Sequence, residues 1–271
     1  MTPAPRTRAP AALAALAALA ALSAAAPARA LDAPRVKLDD PFASGMWDYH
    51  QVMLLGDPDR IAFDDRVRVL APASAEDSFH VPVLVDARAL GDVEMIVVSV
   101  DYGPIPHILT YRPGGAEPRI ALRFKIDQAT PVRAAARTSD GAWHVGGAYV
   151  DAAGGGCTAP AAAYATDDWA DRLGQVRGRV WPDSGRVRFV VDHPMDTGLA
   201  DGIPAFFIET LTVAPDGGAA PARIELHEPV EEDPAFTLFW PPGAIREAAL
   251  LEGRDNNGNE IRAELRAAVG Q

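Results

Sequence analysis

Short runs that alternate apolar and polar side chains recur through most of this chain, and they constrain its fold more than any other feature. Residues 120–126 place Ile120, Leu122, Phe124 and Ile126 on one face and Ala121, Arg123 and Lys125 on the other. That period of two belongs to a β-strand with one buried face. The apolar run 93–100 fits a central strand, and 66–70, 79–86, 132–138 and 143–150 complete a first set. Pro82 puts its strand at a sheet edge or at a strand start, because proline cannot donate to a ladder. A second set comprises 175–181, 187–193, 206–214, 223–227, 236–240 and 260–267. Asp183-Ser184-Gly185, Asp216-Gly217-Gly218 and Asn257-Gly258 separate them, and the last pair tolerates the positive φ of a tight hairpin. Only 167–173 reads as helical. The expected fold class is all-β, with one sandwich in each half.

The N-terminus sets the compartment. Arg6 and Arg8 precede an alanine/leucine stretch from Ala9 to Ala26, and Ala28-Arg29-Ala30 closes it. A basic start, an apolar run and a small-x-small end make a cleavable secretory signal peptide over residues 1–30. Beyond it no apolar stretch is long enough for a membrane span. The formal net charge is −12, and removing the leader's arginines makes the rest more acidic still. Phosphate binding needs clustered basic residues, so nucleic acid and anionic membrane surfaces are excluded as partners. A non-acidic protein partner suits this charge.

Between the two strand sets, residues 151–166 read DAAGGGCTAPAAAYAT. Gly154, Gly155 and Gly156 give this stretch the largest backbone freedom a chain can have. The chain's single cysteine, Cys157, follows them. One cysteine makes no internal disulfide; it is either buried and inert or exposed and reactive. Few side chains lie beside it to share a core, which favours an exposed thiol on a flexible arm. Residues 152–156 could extend that thiol by about 17 Å. A catalytic cysteine would need an activating base and a rigid mount. Here Asp151 opposes ionisation, and the nearest histidine, His144, lies in a strand. A carrier needs only reach, since each enzyme it visits can supply the base. This reading makes the protein a non-enzymatic carrier with Cys157 as covalent attachment site.

Particular motifs resemble a known family. Ala75-Glu76-Asp77 followed by Val81-Pro82-Val83, then Asp101-Tyr102-Gly103-Pro104-Ile105-Pro106, Thr138-Ser139-Asp140-Gly141 and Gly155-Gly156-Cys157 are similar to SoxY, a sulfur-oxidation carrier subunit. His193-Pro194-Met195-Asp196-Thr197-Gly198, Phe206-Phe207-Ile208 and Asp255-Asn256-Asn257-Gly258 resemble its partner subunit SoxZ. The chain looks like a fusion of the two, and more narrowly like the quinoprotein dehydrogenase-associated SoxYZ-like carriers. The resemblance spans roughly residues 62–271. It implies two immunoglobulin-like β-sandwich domains, with sulfur intermediates attached at Cys157. It also implies periplasmic oxidoreductases as partners, a quinoprotein dehydrogenase among them, and no cofactor. One departure is plain: SoxY chains end in glycines after the cysteine, whereas here Thr158-Ala159-Pro160 and a second domain follow. The arm is therefore expected to be a loop held at both ends.

The resulting organisation is a signal peptide (1–30), an N-terminal extension (31–61), a SoxY-like sandwich (62–150), the arm and linker (151–174) and a SoxZ-like sandwich (175–271). The extension, with Trp47 and Tyr49, suggests a docking strap. His193 is expected to be structural at a strand end, and Trp47, Trp143, Trp181 and Trp240 to be core. The six histidines show no paired metal-ligand spacing. The competing reading is a non-covalent binding or assembly module for a quinoprotein dehydrogenase, with Cys157 incidental. A thiol-dependent enzyme is a third.

Overall fold

A computed structural model describes residues 1–2 and 39–267. Residues 3–38, which hold most of the expected signal peptide and the first part of the expected extension, lie outside the described residues. The chain enters through a helix, α1 (Trp47–Leu55), and then follows eight strands: β1 (Ile61–Phe63), β2 (Arg68–Leu70), β3 (Val81–Asp86), β4 (Val93–Val100), β5 (His107–Arg112), β6 (Arg119–Phe124), β7 (Thr130–Thr138) and β8 (Trp143–Val150). A single-turn helix, α2 (Trp169–Arg172), leads into β9 (Val176–Trp181), β10 (Arg186–Val191), β11 (Ile208–Pro215), β12 (Ala222–Leu226), β13 (Ala235–Phe239), β14 (Ala248–Asp255) and β15 (Glu260–Arg266).

The strands form two sheets over one core, so the β-sandwich expectation holds. The larger sheet has the order β1-β8-β7-β4-β5-β12-β11-β14-β15 and the smaller β2-β3-β6-β13-β10-β9. Each half supplies a contiguous block to each sheet. The two halves are joined edge to edge, by β5 pairing with β12 and β6 with β13, both antiparallel. The larger seam matches Tyr111 to Ile224 and Leu109 to Leu226. Pairing of this kind satisfies edge strands that would otherwise be open to aggregation. It also makes the apolar interior continuous: Val83, Ile96, Ile120 and Phe124 share one cluster with Val187, Phe189, Leu211 and Trp240. Each such side chain contributes roughly 1.5–3 kcal/mol by leaving water.

The alternation in β6 is buried as expected, with Ile120, Leu122 and Phe124 inward and Ile126 just beyond the strand. Pro82 sits second in β3, before the first residue matched to β2, and its missing N–H interrupts no pairing there. The strands β1, β5 and β14 and the helix α1 were not expected. His107–Arg112 and Ala248–Asp255 are nearly continuous apolar or mixed runs that show no clean alternation.

The first half carries a third layer. Val97, Ala135, Trp143 and Val145 point away from the main core, and Trp47 of α1 covers them. On the same side Arg133, 1% exposed, donates to Asp101 (2.7 and 2.5 Å) and to Asp40 (2.8 and 2.9 Å). Its guanidinium lies 4.7 Å from the Trp47 ring and 4.9 Å from Phe42. Tyr102 donates its hydroxyl proton to the Ser44 carbonyl at 2.8 Å. The Asp101-Tyr102 motif thus fastens residues 40–47 to the sheet.

Candidate functional site

The end of β8 fixes where the cysteine loop begins. Asp151 bridges Ser74, donating its N–H to Ala73 and accepting from Ala75 at 2.7 Å. The chain then runs beside the segment that follows β6. Gly155 donates to the Asp127 carbonyl (3.3 Å) and Gly156 to that of Ile126 (3.1 Å). A Cβ on Gly154 would lie 2.1 Å from Asp127 O, and one on Gly156 2.2 Å from Ser78 O. Gly155 has open space around it but a φ of +85°, which side chains disfavour. Gly154 and Gly156 admit a close backbone approach, and Gly155 supplies the positive φ between them.

Cys157 is buried, 4% exposed, which corrects the expectation of an exposed thiol on a free arm. The residues that cover it come from distant parts of the chain. Its Sγ lies 3.7 Å from the Lys125 carbonyl, and its own carbonyl accepts the Thr197 hydroxyl at 2.5 Å. Burial pushes the thiol up to about 11, Asp127 adds to that, and the nearby Lys125 charge opposes it. His144 and Asp151, the charged neighbours weighed from sequence, are not the ones that act on it. His144 pairs instead with Asp64 at 2.8 Å.

Lys125 was assigned to the polar face of its strand, yet it is 6% exposed. Its ammonium donates to the Met195 carbonyl at 2.5 Å. Desolvation lowers its pKa, while Asp196, the Cys157 thiol, Glu232 and Glu231 favour its charge. Met195 has a φ of +52° and is fully buried, with its sulfur 3.3 Å from the Ile208 N–H. His193 holds the turn, as its expected structural role requires. Its Nδ1 accepts the Met195 N–H at 3.0 Å, which leaves the proton on Nε2, 3.5 Å from Asp255. Burial holds His193 down at about 4.

The rest of the loop is tied to the second half by carboxylates. Asp196 accepts the Ala161 N–H (3.2 Å) and the Tyr164 hydroxyl. Glu232 accepts the Ala162 and Ala163 N–H groups at 2.7 and 2.5 Å. In the sequence, residues 193–198 stand out only by resemblance, and residues 228–233 carry no site motif. Nothing in the local pattern announces that both converge on Cys157.

A family model described as "Sulfur oxidation protein SoxY" matches residues 52–157. Residues 52–157 are a SoxY-family domain. The SoxY match begins inside α1 and ends on Cys157, and the second half lies outside it. No curated protein matches the chain. Among solved structures, the sulfur carrier protein SoxY from Chlorobium limicola f thiosulfatophilum is similar, with 17% identity and a TM-score of 0.35. The alignment covers 41% of this chain and 98% of that SoxY chain. Among the described residues no helix is long and apolar enough to cross a membrane.

Proposed function

We propose that this protein is a periplasmic carrier that holds a sulfur-containing or other thiol-reactive intermediate covalently on Cys157. The observation that carries this reading is the SoxY match, which ends on the chain's only cysteine. On this reading the second half is a SoxZ-like domain whose His193–Gly198 turn seats the carrier loop. The leader at residues 1–30 directs export, and the partners are periplasmic oxidoreductases, including a quinoprotein dehydrogenase. The protein itself is not an enzyme: the thiol at about 11 is protonated at neutral pH, and a visited enzyme must supply the base.

The test is the mass of the intact protein taken from substrate-grown cells. A Cys157-linked adduct is expected, and Cys157→Ser abolishes it while leaving the melting temperature within a few degrees. If turnover never produces an adduct, the reading fails. The burial of the thiol favours the second reading, a non-covalent binding or assembly module. In that case a Cys157→Ala strain keeps full dehydrogenase-dependent growth.

A further inference from the structure

We infer that residues 154–164 form a cargo-gated latch, shut over the free thiol by Thr197, Asp196 and Glu232 and forced open when Cys157 is loaded. This inference rests on the carrier reading and adds a regulation to the same site. In the shut state the amides of five latch residues have acceptors. Gly155 and Gly156 bond the Asp127 and Ile126 carbonyls, Ala161 bonds Asp196, and Ala162 and Ala163 bond Glu232. Thr197 closes the middle through the Cys157 carbonyl, and Tyr164 closes the far end on Asp196. These anchors come from two separate turns of the second half, so the latch spans the junction between halves.

The shut state crowds the sulfur. Sγ lies 3.7 Å from the Lys125 carbonyl, and the residue is only 4% exposed. Immediately before it, even one methyl at Gly156 would meet Ser78 O at 2.2 Å. Any group larger than a proton on sulfur must displace the loop. The carboxylates Asp127, Asp196, Glu231 and Glu232 around Lys125 and Cys157 add repulsion against an anionic cargo. A free carrier therefore hides its thiol, and a loaded one presents it. The two states are a two-well equilibrium biased by the adduct's exclusion from one of them.

The experiment uses the full chain and iodoacetamide as the probe. The Cys157 thiolate displaces iodide from carbon, forming the S–C bond as the C–I bond breaks, with the thiol proton passing to buffer. Amide hydrogen exchange is then compared between free and carbamidomethylated protein. At Gly155, Gly156 and Ala161, Ala162 and Ala163, alkylation is expected to cut protection at least about tenfold, while β6 and β8 stay protected. Unchanged protection after alkylation overturns the latch.

Alkylation rates give a second arm. Thr197→Val and Glu232→Gln, by removing one closing contact each, are expected to speed alkylation about fivefold. A wild-type rate equal to that of the urea-unfolded chain overturns the proposal as well. Because the exchange comparison needs no variant, a Thr197→Val protein that fails to fold does not block the test. An opening latch in a protein that never carries an adduct in cells would sink the carrier reading and spare the latch.

Discussion

At the scale of single residues, Lys125 and Cys157 set the chemistry together. Burial penalises both the thiolate and the ammonium, but each charge offsets part of the other's cost. Removing the lysine charge must therefore move the thiol further from ionisation. Lys125→Met is expected to raise the thiol above its wild-type value of about 11, read as ultraviolet thiolate absorbance against pH. An unshifted titration would show that Lys125 does not act on the sulfur. The thiol's folded value lies above its ordinary 9.0, so its contribution is full below about pH 9 and is lost as pH rises through 11. Over that window wild-type stability should fall by up to ~1.4 kcal/mol per pH unit relative to Cys157→Ser. The cysteine was legible in sequence, as were its glycines. Lys125 was not, because a period of two places it on the polar face and only the turn after β6 carries it under the cysteine loop.

At the scale of elements, the segment 39–55 illustrates how a helix without strong local signals is held by what it covers. α1 has no side-chain N-cap, and its place depends on Trp47 packing over Val97, Trp143 and Val145. Trp47→Ala is expected to cost about 3–5 kcal/mol of unfolding free energy in urea titration. Asp101→Ala should cost a similar amount, because it strips a hydrogen-bonded carboxylate from the fully buried Arg133. If either variant loses less than about 1 kcal/mol, the third layer is not integral to the fold. The sequence suggested a docking strap here, but the part of it that the structure describes is spent against its own sheet. The exposed face that remains holds Tyr49, Val52 and Met53.

At the scale of the molecule, strand pairing at both seams couples the halves. A single calorimetric transition is expected, and two resolved transitions would show that the halves melt independently. Acid should weaken this assembly. His107 and His227 stack with ring centroids 3.9 Å apart beside the β5–β12 seam, and burial holds His107 down at about 4 and lowers His227. His193 is likewise held at about 4, and burial lowers His50. Each binds its proton more readily when unfolded, so stability is lost as pH falls below about 6.5, at up to ~1.4 kcal/mol per pH unit for each histidine. A melting temperature that stays flat from pH 6.5 to 4.5 would contradict this.

Sequence alone determined the β class, most strand positions and the isolation of Cys157 on a glycine stretch, because periodicity, turn chemistry and composition are local. Only the tertiary structure decided that the two halves share their sheets and that the thiol is buried. Those facts depend on which strand edges meet and on Thr197, Asp196 and Glu232 reaching across from the second half. Such pairings leave no trace in a local pattern, and they turned the expected free arm into a loop closed over its own sulfur.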